Sequence, residues 1–437
     1  MPSLTEIAAA ERDALAAPGG LYASHAWLGS VEREPGASVG YLLARARDPL
    51  ACALPVYDVT VEHNPYYAHR RHLDLLGLDE SWALVGARRG YRYEPPAAPD
   101  PGPGLDALLA AAPARAEERG KRGLLFPFAT SRTARLLWER GAAVALDGAD
   151  AAVSTGGASF EEYLQRLGSK RRIAIRHEFS AFHAAGYELG LEKLADCYAE
   201  AAPLLGQIQR KYGHEAHDDG MRDYLAGQAE ALGKYSRVFT ARRSGRLVGF
   251  SLMHEFSETL YAYAVGFDYA ETGKAYEYDA LCYYLPIEYM HRQGLRVLHL
   301  GMETYQAKPA RGARLGPLWS VALPVPSSPL PGRPLADTSE WLHRFGRRAL
   351  PEGEWQQPWA APWGASGAGA PGARRGGRAR RLRAAARSSW PAPSSACWRP
   401  RPLTSPRRSA RWSPCRCRCR SGAGGTWSRG STGCSAA

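Results

Sequence analysis

The chain has 437 residues, with 56 Lys and Arg against 43 Asp and Glu, for a formal net charge of +13. Such a surplus suggests a nucleic-acid or membrane partner. The last 83 residues, however, hold 16 Arg and no acidic residue, so the first 354 carry 40 basic against 43 acidic residues, which excludes a histone-like, broadly basic protein.

Residues 1–19 are read as an N-terminal helix or arm. Glu6, Glu11, Arg12 and Asp13 among alanines lack the basic-then-apolar order of a signal peptide. A first α/β unit is expected over 20–150. It holds a short helix at 25–31, two strands at 39–45 and 51–59 around Asp48-Pro49, and short apolar stretches at 73–76 and 81–86. The Pro-rich segment 94–104 is a loop. A helix follows at 105–119, with Pro113 as its point of kinking or breaking, then a strand at 123–128 and a helix at 131–140 closed by Gly141. The Gly-rich stretch 154–159 marks a boundary.

The second unit, 155–345, opens with Ser159 as a helix cap and Glu162 in the capping-box position. A strongly basic helix runs over 170–185 to Gly186, with further helices at 191–206 and 221–232. A hairpin of 237–242 and 247–254 turns at Ser244-Gly245. A strand at 260–265, a helix at 278–292 stopped by Gly294, and a strand at 297–300 complete it. Helices, three strands, a helix and a strand is the order of the GNAT acyltransferase fold, and the first unit is compatible with a worn copy. The predicted fold class is α/β, two tandem GNAT-like domains.

From Trp355 to Ala437 there is no Ile, Val, Met, Phe or Tyr, only two Leu, but seven of the twelve Trp and five of the eight Cys. This segment cannot bury a core. Its composition is that of GC-rich DNA translated out of frame, and a frameshift between about Glu354 and Gly364 is the reading adopted. The alternative is an Arg-rich nucleic-acid tail. In the remaining chain Cys52, Cys197 and Cys282 are widely spaced, with neither metal spacing nor a disulfide framework. No apolar run reaches the roughly 18 residues of a membrane-spanning helix. A soluble cytoplasmic protein is expected, and no motif specifies an oligomeric state.

Ser169-Lys170-Arg171-Arg172-Ile173-Ala174-Ile175-Arg176, followed by Ala184-Ala185-Gly186, resembles the basic helix of the FemAB-like acyltransferases, which are tandem GNAT proteins. Gly266-Phe267-Asp268 with Leu285-Pro286-Ile287-Glu288-Tyr289 resembles the same family's second motif. Gly301-Met302-Glu303-Thr304-Tyr305-Gln306-Ala307-Lys308 with Arg311-Gly312 resembles its third. The resemblance covers roughly residues 20–325. It implies an aminoacyl-tRNA-dependent transferase acting on an amine, hydroxylamine or hydroxyl of a small acceptor. The Ala/Arg/Gly/Pro-heavy composition looks actinobacterial, where such proteins also serve antibiotic pathways such as seryl transfer in valanimycin biosynthesis. Two alternatives stay open: a coenzyme A-dependent N-acyltransferase and a non-catalytic GNAT scaffold.

Acyl transfer from an activated donor needs a proton acceptor, an oxyanion donor and a cradle for an anionic carrier. No tightly bound cofactor is expected; aminoacyl-tRNA or acyl-CoA is a cosubstrate. Lys170, Arg171, Arg172 and Arg176 are candidates for carrier phosphate, as an alternative to a solvated basic face. Gly273 and Lys274 lie where a GNAT phosphate loop would fall, but Ala270 stands at the loop's first position. Glu303, Tyr305 and Lys308 follow a strand end and are the catalytic candidates, against a plain Glu303–Lys308 loop salt bridge. Glu277 and Asp279 are read first as helix capping. His63, Tyr66 and Tyr67 are candidates for the acceptor. His214 and His217 lack a third ligand element, so no metal is expected.

Overall fold

The computed structural model describes residues 1–45, 49–62, 67–79, 81–86, 88–97, 104–155, 159–328 and 330, with the backbone alone at 17–19. The segment 355–437 and the candidates His63 and Tyr66 lie outside the described residues.

Residues 9–19 form helix α1, and Ser24 caps α2 (His25–Glu32) by accepting the Trp27 N–H. The first strands, β1 (Ala37–Arg45) and β2 (Leu50–Val59), pair antiparallel. Helix α3 (His69–Leu76) leads to β3 (Trp82–Val85). Helix α4 (Gly104–Glu117) then crosses to β4 (Gly123–Thr130), which runs parallel to β3. Pro113 lies inside α4 and does not end it. Every residue of β4 is buried, as its unbroken apolar run requires of a central strand. Helix α5 (Ser131–Trp138) precedes β5 (Ala143–Ser154).

Helices α6 (Phe160–Gln165) and α7 (Ser169–Ala184) follow, and Ser159 caps α6 by accepting the Glu162 N–H at 3.2 Å. After β6 (Glu188–Glu192) come α8 (Leu194–Lys211) and α9 (Asp218–Leu232). The meander of β7 (Ser236–Arg243), β8 (Arg246–Phe256) and β9 (Thr259–Phe267) is antiparallel. A helical segment then runs through α10 (Glu277–Asp279), a π turn at Ala280–Tyr284, and α11 (Leu285–Gln293). It delivers β10 (Val297–His299) parallel to β9. Each half therefore contains a parallel pair bridged by a helix.

Among the described residues the strands form one eleven-stranded sheet, ordered β1-β2-β3-β4-β11-β5-β10-β9-β8-β7-β6. The last strand, β11 (Arg314–Pro324), pairs antiparallel with β4 on one side and β5 on the other. Neither β5 nor β11 was predicted. The α/β, GNAT-like fold class was, and the parallel pairs and flanking helices bear it out.

The second motif turns out to be architectural. Gly266 lets β9 meet the backbone of α8: a Cβ there would stand 2.7 Å from the Leu204 carbonyl carbon. Phe267 joins the core, and Asp268 pairs with Arg246 at 2.7 Å.

Candidate active site

Helix α7 buries Ile175, Phe179 and Phe182 at helical spacing, which turns its charges onto other faces. The four predicted cations do not act alike. Arg171 donates to Glu178 at 3.2 and 3.4 Å, and Glu178 also accepts from the Tyr284 hydroxyl. Arg176 pairs with Glu161. Lys170 and Arg172 have no ion pair among the described residues, and Ile173 between them is 62% exposed. Two cations, not four, are thus available to a ligand.

The π turn brings the first and third motifs together. Tyr284 reaches Glu178 on α7, while Tyr283 lies under Arg311, whose Cζ is 5.0 Å from the ring centroid. Arg311 pairs with Asp279. Burial raises the Asp279 carboxyl, and Arg311 opposes the rise without cancelling it. The Tyr163 hydroxyl donates to the Arg311 carbonyl at 2.7 Å. π turns gather at functional sites because they re-aim side chains. Here one aligns Asp279, Tyr283 and Tyr284 on the meeting point of two distant motifs.

The expected phosphate loop is already filled. Glu277 accepts the backbone N–H groups of Gly273 at 2.9 Å, Ala275 at 3.2 Å and Lys274 at 3.4 Å, and the Tyr187 hydroxyl at 2.8 Å. Burial pushes its carboxyl up, but these donors outweigh burial and hold it below the usual glutamate value. Gly273 and Lys274 therefore present no amides to a carrier; the chain's own carboxylate takes the place of a phosphate.

The third motif forms a tight loop after β10. Gly301, Glu303 and Thr304 all have positive φ, of +64°, +63° and +57°. For the two non-glycine residues this costs about 1 kcal/mol or more each, a strain found at functional sites. Lys308 holds the loop. Its Nζ donates to the carbonyls of Met302 at 2.5 Å and Gly301 at 3.2 Å, and the residue is only 5% exposed. Burial lowers its amine to about 8, with Glu303 and Asp150 pulling the other way. The Glu303–Lys308 salt bridge that was the alternative to a catalytic role is not formed, and Lys308 is too deeply engaged to meet carrier phosphate. The Glu303 carboxylate is exposed. Tyr305 is half-buried, and its hydroxyl oxygen accepts the Ala149 N–H at 3.2 Å.

The loop abuts a cavity of about 400 Å³. Met302 packs with Tyr67, Tyr91, Phe128 and Leu318, and a Cβ on Gly301 would stand 3.6 Å from Tyr91. Tyr67 and Tyr91 also line the cavity, with Trp27, Tyr224, Gln228 and Tyr263. Of the three acceptor candidates Tyr67 is the one placed here. The other lining residues were missed. A signal existed in Met221, Tyr224 and Gln228, which share one face of α9, but nothing in the sequence says what that face meets. His214 and His217 lie in a polar loop, and no group of three metal-ligating side chains occurs among the described residues. No helix among them is long and apolar enough to cross a membrane.

Comparison with known proteins bears on the fold and the family. FemX superposes with a TM-score of 0.54 at 10% identity, covering 72% of this chain and 96% of that one. The C-terminal domain of a putative lysylphosphatidylglycerol synthetase from Agrobacterium fabrum gives 0.50 at 9% identity, covering 75% and 94%. A tandem GNAT protein from the clavulanic acid biosynthesis pathway superposes more loosely, at 0.39 and 13% identity, covering 71% and 92%. At these identities the likeness is one of fold. No curated protein sequence matches. The family model described as peptidoglycan biosynthesis/recognition matches residues 3–324. The chain belongs to the FemAB-like family, whose members are aminoacyl transferases.

Proposed function

We propose that this protein is an aminoacyl-tRNA-dependent transferase, moving an aminoacyl group from the tRNA ester to an amine, hydroxylamine or hydroxyl of a small acceptor. The observation that carries this reading is Glu277 in the amide cradle of Gly273 to Ala275. A coenzyme A pyrophosphate would meet satisfied amides and a like charge at contact distance. A donor carried on RNA makes no such demand, and Lys170 and Arg172 are two cations free to meet its phosphates.

In the reaction the acceptor nitrogen or oxygen bonds to the ester carbonyl carbon and the ester C–O bond breaks. The acceptor gives up one proton, and the ribose hydroxyl takes one up. The exposed Glu303 carboxylate is the proton acceptor. The Tyr305 phenol stands two residues away to steer that proton or donate to the oxyanion. Lys308 is a positioning residue: it fixes the carbonyls of the loop that carries Glu303. The ester is already activated, so no tightly bound cofactor enters. Charged tRNA places the reaction in the cytoplasm, and antibiotic or cell-wall biosynthesis is the setting that the resemblance favours.

The test is to incubate the full chain with a mixed charged-tRNA pool, or with acetyl-CoA, and a panel of amines, and to follow deacylation. RNase-sensitive, amine-dependent deacylation is expected. Consumption of acetyl-CoA alone would overturn the reading, and consumption of neither donor would favour a scaffold.

A further inference from the structure

The cavity beside the third motif has aromatic walls from both halves of the chain: Trp27, Tyr67 and Tyr91 from one, Tyr224 and Tyr263 from the other. Its rings are set at many angles. Trp27 and Tyr263 are 5.8 Å apart and nearly perpendicular at 87°, and Tyr67 and Tyr91 are 5.9 Å apart at 41°. Tyr224 and Tyr263 are close to parallel at 20°, but their hydroxyls are hydrogen-bonded to each other, which closes the slot between the rings. A planar base needs two facing parallel rings with room between them. A compact, roughly spherical group instead suits faces turned in several directions.

The charge on the walls is balanced. Arg89, the one cation lining the cavity among the described residues, pairs with Glu34 and, at 2.6 Å, with the buried Glu62. Glu62 also holds Arg88 at 3.2 Å, so two guanidiniums face two carboxylates. An anionic ligand finds no free positive charge there among the described residues. Behind Tyr263 lies His254, its ring 5.0 Å away and fully buried. Burial lowers its basicity to a value of about 3, so no cation stands behind that wall. Gln228, 5% exposed, adds a side-chain oxygen with no hydrogen-bond partner among the described residues. The chemistry left is that of several aromatic faces, each negative at its centre, around a neutral space.

We infer that this cavity binds an organic ammonium group, held by cation–π contact with Tyr67, Tyr91, Tyr224, Tyr263 and Trp27. As the seat of the acyl acceptor it rests on the transfer reaction proposed above, and it makes that acceptor an amine that arrives as its ammonium ion: the ion gives up one proton to water before attack, and the resulting free amine gives up the one proton of the transfer step. The cation binding itself stands without that reaction.

The test separates the two. Choline and its neutral carbon isostere, 3,3-dimethyl-1-butanol, are titrated into the full chain by calorimetry or ligand-observed NMR, with no donor present. Neither probe has an N–H to acylate, so failure of the transfer reaction leaves this measurement untouched. Choline is expected to bind about tenfold tighter than the isostere. Tyr224→Leu, on the partly exposed face of α9, should erase that preference, and Tyr224→Phe should keep it. Equal binding of the two probes, no binding of choline at millimolar concentration, or a preference unchanged in Tyr224→Leu would each overturn the inference.

Discussion

The Glu277 carboxylate accepts the Gly273 amide at 2.9 Å, an internal anion seated where a GNAT loop would receive a phosphate. Replacing it with alanine leaves three amides without their acceptor. Glu277→Ala should lower stability by about 1–3 kcal/mol, read as a fall in the midpoint of thermal or urea unfolding. It should also give measurable coenzyme A binding where the parent chain has none. The carboxyl sits below its ordinary value of 4.5 in the fold. Its contribution is therefore complete above that value and is lost as pH falls through the lower folded value. The parent and Glu277→Gln should accordingly converge in stability under acid and differ at neutral pH.

Lys308 titrates the other way. Its amine is lowered from 10.5 to about 8, so between those values the unfolded chain binds more protons than the folded one. Stability then rises with pH across that window as the burial cost of the charge is relieved. The neutral amine keeps two N–H donors for its two carbonyls, so the loop survives deprotonation. Unfolding of the parent and Lys308→Met at pH 7.5 and pH 10, values within about a unit of the ends of that window, should show the parent gaining relative to the variant. The same variant should lose transfer activity about a hundredfold through a misplaced Glu303.

The two unpaired cations of α7 give a sharper test than the whole cluster. Lys170→Ala with Arg172→Ala should leave the melting midpoint unchanged and weaken tRNA binding. The slope of log K against log salt should fall by about 1.5. Arg171→Ala should instead destabilise the fold, since it strips the partner from the buried Glu178. Equal effects from both variants would argue against a division of labour on this helix.

Truncation after Glu354 retains β11 and should give a soluble, active protein. Truncation before Arg314 removes the strand between β4 and β5 and should give insoluble product. An intact reading frame on resequencing the locus, together with loss of folding on truncation after Glu354, would make the Arg-rich segment a genuine part of the protein.

Much of the second half was legible because its strands alternate and its turns are punctuated: Ser244-Gly245 and Gly294 fall where the chain reverses or a helix stops. β5 and β11 were not. Ala143–Ser154 is rich in alanine and carries Asp147, Gly148 and Asp150, a poor strand former that is held by a neighbour on each side. Gly316 and Pro317 near the start of β11 are both poor strand formers. The same blindness to tertiary partners shaped the site. Four adjacent cations look equivalent until Glu178 and Glu161 are seen to claim two of them. Lys308 looks like a phosphate ligand until the carbonyls of Gly301 and Met302 are seen to claim it. Glu277 was read first as a helix cap; it is the first residue of its helix, where no side chain makes a capping bond, and its anion instead fills the cradle beside Gly273.

The position of β11 also sets an order of events during synthesis. The strand that joins β4 to β5 is the last one of the sheet to leave the ribosome. Until it arrives the facing edges of β4 and β5 expose unpaired backbone, with the apolar residues of β4 beside them. Closing that gap is a contact of very long sequence separation and is slow for that reason. The nascent chain therefore spends its synthesis with an open seam at the middle of its sheet, and a holdase or a low expression temperature should raise the soluble yield.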